Sequence, residues 1–541
     1  MLTPDLREVA RQAMIDEGFD PSPDPAVRAE LANVGKHPDA GAPLRDLRNL
    51  LWSSVDNDDT RDLDQIEFVE EVSGGAAAAG GVSPGANKVL GTEGGVTTAV
   101  DAGEALEWRL YIAVSDVDSE APKGSAIDAH AAAQTTTVYT GAAIFSMIPP
   151  ELSAGATSLF EGADRKAVVV AMIVGADGTV KSVEIFRARV TNKAQLTYSA
   201  VGAWLDSGTA AAGGISRTPQ LESGATMPAR VSGTPELEAQ LRLQAKIAAA
   251  LRQTRLDNGA LEIETVEARA VSEDGKVTAI EKSQKNKATD LIEDFMIAAN
   301  GSVARFLEGR NVASIRRIVR SPERWARIVE LAKQYDRNLP PEPDPMALHD
   351  FMLERRASDP DHFPDLSLAV VKLLGPGEYI LDQPGVVEPG HFGLAVQDYT
   401  HSTAPNRRYA DLVTQRIVKA VLANNPPPYT DDELTAIARN CTLKEDAARK
   451  VERTVRKIAA AILFSDRIGQ RFKAIVTGKN QSGTFVRVLD PPVEGMLVRG
   501  GAGVDVGDEI DVELLSTNPK RGFIDFGRVG DTPLPNPPGK R

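Results

Sequence analysis

Five aspartates, Asp56, Asp58, Asp59, Asp62 and Asp64, fall within nine positions of the stretch VDNDDTRDLDQIE, residues 55–67. No other segment restricts the fold of this chain so tightly. Charges of one sign packed this closely repel, and folding them into one place is costly unless a cation compensates. Oxygen-only ligands of this kind suit Mg2+ or Mn2+. A cation so held fits metal-assisted phosphodiester hydrolysis, in which it activates a water and stabilises the leaving oxygen. On the pattern alone two other readings stay open, a solvated acidic loop and a mimic of a Ca2+ loop. The spacing lacks the glycine and terminal glutamate of an EF-hand.

The surroundings of the acidic stretch read as a strand-rich region that begins at about residue 44. Ile66-Glu67-Phe68-Val69 alternates as a strand does, and the strand pattern resumes over 108–117. Before it, residues 1–43 read as short helices. Thr3-Pro4 fits an N-cap followed by proline, and Leu6, Val9, Ala10, Ala13 and Met14 recur at helical spacing. Two Gly/Ala-rich stretches, about 72–103 and about 207–236, read as flexible insertions. Helices are expected over 237–256, 288–308, 323–335, 407–423 and 432–464. From about 470, the segments FKAIVTG, GTFVRVL, VEGMLV, EIDVELL and GFIDFG read as five short strands. That count with Gly-rich turns suits an OB-type barrel over 470–530, followed by a Pro-rich, disordered tail over 531–541.

Composition closes off several classes. No run of about 18 apolar residues occurs, so no membrane span is expected. The first residues carry acids and lack an apolar core, which is unlike a secretory signal and points to the cytoplasm. A single cysteine, Cys441, excludes an internal disulfide framework and a thiolate cage, and the six histidines show no zinc-type spacing. The formal net charge of −15 argues mildly against a polyanionic partner. Binding needs only a local basic surface, however. Two basic islands exist, seven arginines between Arg305 and Arg327, and ten Lys/Arg against four Asp/Glu over 444–479.

The acidic stretch resembles the signature of the RNase II/RNase R (RNB-domain) family, in which an aspartate is followed six positions later by Asp-x-Asp-Asp. Asp56, Asp62 and Asp64 match the first three aspartates, and Gln65 stands at the fourth. A glutamine can ligate through its carbonyl oxygen but brings no charge. Asp58 or Asp59 could stand in for it, or activity could be reduced. Further blocks resemble the family in the same order. They are YIAVSDV at 111–117, TTTVYTGAAIFSMIPPELSAGATSL at 135–159, LIEDFMIAAN at 291–300 and YTHSTAPNRRYADLVTQRIVKAVL at 399–422.

The resemblance implies an α/β fold, a mixed α+β nuclease domain over 44–465 with a C-terminal all-β OB barrel. It implies a metal-dependent exoribonuclease that shortens single-stranded RNA from its 3′ end to nucleoside 5′-monophosphates. Asp56, Asp62 and Asp64 are then the Mg2+ (or Mn2+) ligands, with Gln65 and Arg407 completing the catalytic set. Tyr139 stacks on nucleotides, Arg407 grips a phosphate, and Arg408 stands beside it as an RNA contact or a support. Glu452 lies near the 3′-terminal nucleotide, with a surface i,i+4 pair as its plain alternative. The helix at 291–300 carries acids toward the RNA channel. In the barrel Phe472 and Phe485 are stacking candidates, with core packing as their alternative. Only about 43 residues precede the nuclease region, so the family's two N-terminal cold-shock domains are not expected in this chain. The partner is single-stranded RNA and the chain is expected to be monomeric. The rival reading is a catalytically weak RNA-binding protein on the same scaffold, because Gln65 departs from the signature.

Overall fold

The computed structural model describes residues 5–22, 25–36, 42–72, 107–207, 231, 233–264, 267–273, 275–283, 285–360, 362–481 and 483–530. The stretches expected to be flexible insertions lie largely outside these residues, as do Thr3-Pro4 and the tail at 531–541. Among the described residues, α1 (Leu6–Asp16) is capped by Asp5, whose carboxylate accepts the Arg7 N–H, and α2 is Pro25–Leu31.

A seven-stranded sheet carries the acidic stretch. Its strands are β1 (Leu44–Asp46), β2 (Ser53–Asp56), β3 (Gln65–Val72), β4 (Glu107–Ser115), β7 (Asp164–Gly175), β8 (Val180–Thr191) and β9 (Ala194–Thr197), in the order β1-β8-β7-β4-β3-β2-β9. Between β4 and β7 the chain forms α3 (Ala126–Gln134) and a short pair, β5 (Val138–Tyr139) with β6 (Ile144–Phe145). Inner strands buried on both faces read as near-continuous apolar runs, and AVVVAMIV in β7 is such a run. Val168, Val170 and Met172 join one core with Leu110, Ile112 and Val69, while Val169 and Ala171 join another with Ile66, Ala113 and Phe186.

Helices cover the first of these faces. They are α4 (Tyr198–Ser207), α5 (Pro235–Asp257) and α6 (Lys287–Glu308), with a hairpin of β10 (Glu267–Glu273) and β11 (Lys276–Ser283) between the last two. Helix α5 starts two residues before the expected boundary, so 235–236 belong to it rather than to an insertion. Asn286 opens α6 with a reciprocal capping box to Thr289. The following segment holds β12 (Ser314–Ile318), α7 (Trp325–Lys333), α8 (Pro345–Ser358), α9 (Phe363–Leu374) and β13 (Glu378–Asp382). Then come α10 (Tyr409–Leu422) and α11 (Asp431–Leu463), the latter opened by a Thr430–Glu433 capping box.

A closed barrel ends the described chain. Its strands β14 (Arg471–Asn480), β15 (Gly483–Val488), β16 (Val493–Arg499), β17 (Glu509–Asn518) and β18 (Phe523–Arg528) match the five expected segments, in the order β14-β15-β16-β18-β17. The fold class read from the sequence is therefore the one observed. The barrel core continues into α11 through Ala460, Ala461 and Phe464. No helix among the described residues is long and apolar enough to cross a membrane.

Candidate active site

The acidic stretch spans the gap between two neighbouring strands. β2 and β3 pair at Ser53 and Glu67, and the loop of residues 57–64 links Asp56, the last residue of β2, to Gln65, the first of β3. Asp56 Oδ1 accepts the Asn57 N–H at 2.7 Å and the Thr60 hydroxyl at 3.0 Å, which curls the start of the loop. Its far end is tied down by the Ser158 hydroxyl, which accepts the Leu63 N–H at 3.1 Å and donates to the Arg61 carbonyl at 2.7 Å. Asp58 accepts from the Ser199 hydroxyl at 2.7 Å on the exposed side, and neither it nor Asp59 turns inward.

Asp64 is the centre of the arrangement. It is fully buried, and its two oxygens take different partners. Oδ1 accepts the Asn406 N–H at 2.8 Å and Oδ2 accepts from Arg407 Nε at 3.1 Å. Asn406 is itself held by the Thr157 hydroxyl, which donates to its side-chain carbonyl at 2.6 Å. The turn before α10 is shaped by buried Asp411, which accepts from the Ala404 N–H at 2.8 Å and from Arg408 Nη2 at 2.7 Å. Arg408 is thus committed to Asp411 and supports the turn, whereas the Arg407 side chain stays 43% exposed beside Asp64. The first helical N–H, from Tyr409, is taken by the Thr135 carbonyl. Positive charge at this point therefore comes from the Arg407 guanidinium.

Tyr139 joins the same group. Its hydroxyl donates to Asp62 Oδ2 at 2.9 Å, and its backbone N–H donates to Glu452 Oε1 at 3.2 Å. The residue as a whole remains 41% exposed. Asp56, Asp62, Asp64, Tyr139, Arg407 and Glu452, spread over almost 400 positions, are thereby gathered into one neighbourhood, with Gln65 the next residue after Asp64. Phe472 is not part of it. Its ring packs between Phe464 and Phe526, at 5.2 and 6.4 Å between centroids, so the core alternative describes it. Phe485 is half-buried on β15. The acids of α6 also differ from expectation, because Asp290 pairs with Arg252 at 2.6 Å and Asp294 with Arg255, both on α5. A basic α5 one layer away captures them.

Burial dominates the electrostatics. It pushes the Asp64 carboxyl up to about 7, even though Arg407 and the Asn406 N–H pull it down. Burial likewise raises Asp56, and Arg407 again opposes the shift. The Tyr139 phenol is raised by burial and then by the charge of Asp62, so it remains a hydrogen-bond donor.

One acidic residue was missed in the sequence. Glu67 is fully buried on β3, and among the described residues no other residue donates a hydrogen bond to either carboxylate oxygen. Burial and then the charge of Asp56 raise it well above the ordinary range. The only signal in the sequence was an acidic residue two positions after Gln65 in a strand pattern, and its inward orientation is set by the packing of α5.

The RNB domain family model matches residues 44–424, and that of the RNase II-type exonuclease C-terminal S1 domain matches residues 470–529. Ribonuclease R of Escherichia coli (strain K12) is 25% identical over 560 residues, which cover 95% of this chain and 61% of that protein. The chain thus spans about three fifths of the length of that relative. The structure of Mycoplasma genitalium RNase R in complex with ribose methylated single-stranded RNA matches at 19% identity with a TM-score of 0.78. It covers 97% of this chain and 78% of that one. Yeast Ssd1, described as a pseudonuclease, matches at 15% identity with a TM-score of 0.61, covering 94% and 57% respectively. At these identities the structural likeness speaks for the fold alone.

Proposed function

The chain belongs to the RNB family, and on that premise we propose that it is a 3′-to-5′ exoribonuclease acting on single-stranded RNA and releasing nucleoside 5′-monophosphates with a divalent cation. The observation that carries this reading is the pairing of Asp64 with Arg407 at 3.1 Å, which joins the acidic loop to a phosphate-binding type of side chain 343 positions away.

The donor set suits a hard cation, Mg2+ or Mn2+. Asp56, Asp62 and Asp64 offer oxygen only, and a carboxylate has about four lone-pair sites, more than the bonds made here occupy. Among the described residues no three Asp, Glu, His or Cys side chains form a ready-made cage. That is ordinary for Mg2+, which is usually held by one or two carboxylates together with substrate phosphates and waters. When bound, the cation supplies an activated water and offsets charge on the departing oxygen.

The remaining roles belong to the chain itself. Arg407, half-open to solvent and oriented by Asp64, sets a fixed positive charge where a phosphate gains negative charge in the transition state. Tyr139 is tethered at both its hydroxyl and its backbone, which leaves its exposed ring face for stacking on a base. Such stacking is worth about 1–3 kcal/mol per base and tolerates any sequence. A second reading, an RNA-binding protein with weak catalysis, is favoured by one observation: Gln65 brings no charge to the fourth motif position.

A time course on 5′-labelled single-stranded RNA with Mg2+, with Mn2+ and with EDTA separates the two. The exonuclease reading expects metal-dependent shortening from the 3′ end to a small labelled oligomer. RNA that is bound but never shortened under any metal would transfer the assignment to the second reading.

A further inference from the structure

The uncharged Gln65 and the unpartnered Glu67 are two residues apart on β3, so their side chains lie on the same face of the sheet. Both are buried. Ser53, directly opposite Glu67 in the β2–β3 pairing, accepts from Gln244 Nε2 at 3.4 Å, and the other polar atom of Gln244, Oε1, has no partner among the described residues. Gln240, one turn earlier on α5, is bonded to both the N–H and the carbonyl of Val69 at 3.1 and 2.6 Å. That clamp fixes α5 along β3 and holds Gln244 over the Ser53–Glu67 pair. Three buried oxygens, both of Glu67 and one of Gln244, therefore share a neighbourhood in which no described donor reaches them.

A buried acceptor left unpaired is costly, and a charged one more so. Such a group persists where a proton or a bound ligand neutralises it. Asp56 ends β2 three residues beyond Ser53, the partner of Glu67, and pairs with Thr197, the neighbour of Tyr198, so its charge acts on both Glu67 and the buried Tyr198 phenol. Glu67 therefore faces the neighbourhood of the acidic loop from the helix-covered side of the sheet.

We propose that Glu67 supplies the acidic group that Gln65 lacks, and completes divalent-cation binding at Asp56 from the next inward position of β3. The proposal rests on the metal-dependent reading above. It also accounts for an otherwise unexplained pairing of features, a neutral residue at the fourth motif position and a naked carboxylate one pleat further along.

The test is Mn2+ binding by calorimetry to the full chain and to the variants Glu67→Gln, Gln65→Asp and the double variant, with melting curves of each metal-free protein. Glu67→Gln should weaken Mn2+ binding by about 10–100-fold, the usual effect of losing a supporting ligand group. It should melt no lower than the parent without metal, because burial already disfavours the charged form of that carboxyl and the amide keeps its shape. Adding Gln65→Asp to Glu67→Gln should restore most of the affinity, since the charge returns to the motif position. Unchanged Mn2+ affinity in Glu67→Gln, or no recovery in the double variant, overturns the proposal. RNA shortening by the parent protein is measured alongside. Shortening that needs metal, combined with an indifferent Glu67→Gln, removes the role of Glu67 and leaves the exonuclease reading standing. A parent that neither binds Mn2+ nor shortens RNA removes both.

Discussion

Asp64 has to be an anion to ligate a cation, yet burial holds its carboxyl at about 7. The direction of the consequence follows. Below that value a proton occupies the ligand and must be released on metal binding, so affinity rises with pH, and above it no proton remains to be displaced. In the Glu67→Gln variant, where that second raised carboxyl no longer titrates, Mn2+ affinity should increase roughly tenfold per pH unit on the acid side of about 7 and flatten beyond it. Calorimetry at several pH values checks this, and a profile with no inflection near 7 would remove Asp64 as the titrating ligand. Asp64→Asn keeps the shape of the side chain, but its single carbonyl oxygen can accept only one of the Asn406 N–H and Arg407 bonds, and its NH2 faces the other donor. It should lower turnover at least about 100-fold, in line with the loss of a group that acts on the transition state. RNA binding, measured by fluorescence anisotropy in EDTA, should stay near that of the parent; a variant that still cleaves at full rate would break the assignment. At this scale the three aspartates were marked by residue type and spacing, whereas Arg407 and Tyr139 were marked only by their resemblance to family blocks; the structure sets these side chains beside one another. Glu67 was not. Within Ile66-Glu67-Phe68-Val69 it looks like the polar phase of an alternating strand, and only the packing of α5 across that face turns the position inward.

Elements were readable where one face repeats and hidden where the chain is buried all round or punctuated by proline. The five barrel strands and helices α5, α6, α10 and α11 have alternating or helical patterns, and the structure finds them. Helices α8 and α9 were not expected, because Pro340, Pro341, Pro343, Pro345, Pro360 and Pro364 make 340–364 look like loop. Two of those prolines instead sit in the first turn of a helix, where the absent N–H costs nothing. The β7–β8 hairpin was obscured in a different way, since an apolar run such as AVVVAMIV has no period to read. The barrel also resolves its two phenylalanines. Phe472 lies in an aromatic stack with Phe464 and Phe526 that joins the barrel to α11, whereas Phe485 is half-exposed. Phe472→Ala should destabilise the protein by about 3 kcal/mol, the lower end for a phenylalanine because its ring is only partly buried. Phe485→Ala should leave the melting temperature nearly unchanged and, if the ring stacks on RNA, weaken single-strand binding by about 1–3 kcal/mol. Thermal melts and anisotropy titrations separate the two, and the reverse pattern would exchange their roles.

Over the whole molecule the difficulty is charge, a net −15 on a chain proposed to hold a polyanion. Of the two basic islands seen in the sequence, the first is largely spent internally. Arg316 binds Asp382 and Asp398, Arg317 binds Glu445, and Arg320 binds Glu378. Spacing along the chain could not reveal this, because the partners come from β13, α11 and the loop before Tyr399. The second island stays outside. Arg453, Arg456 and Lys457 are exposed on α11, within two turns of Glu452, which holds the backbone of Tyr139. The β17–β18 turn seats Gly522 so close to Lys457 that a Cβ there would lie 2.8 Å from the lysine Cβ, and this turn carries Lys520 and Arg521. A short basic track therefore runs from the barrel to the mouth of the site although the molecule as a whole is acidic. Each phosphate contact on a single strand adds about 0.7 to the slope of log affinity against log salt. Replacing Arg456 and Lys457 together by alanine should weaken binding evenly across RNA sequences and reduce that slope by about 1.4. The acidic remainder of the surface is untouched by these changes, so a slope that does not move would mean that RNA reaches Tyr139 by another face.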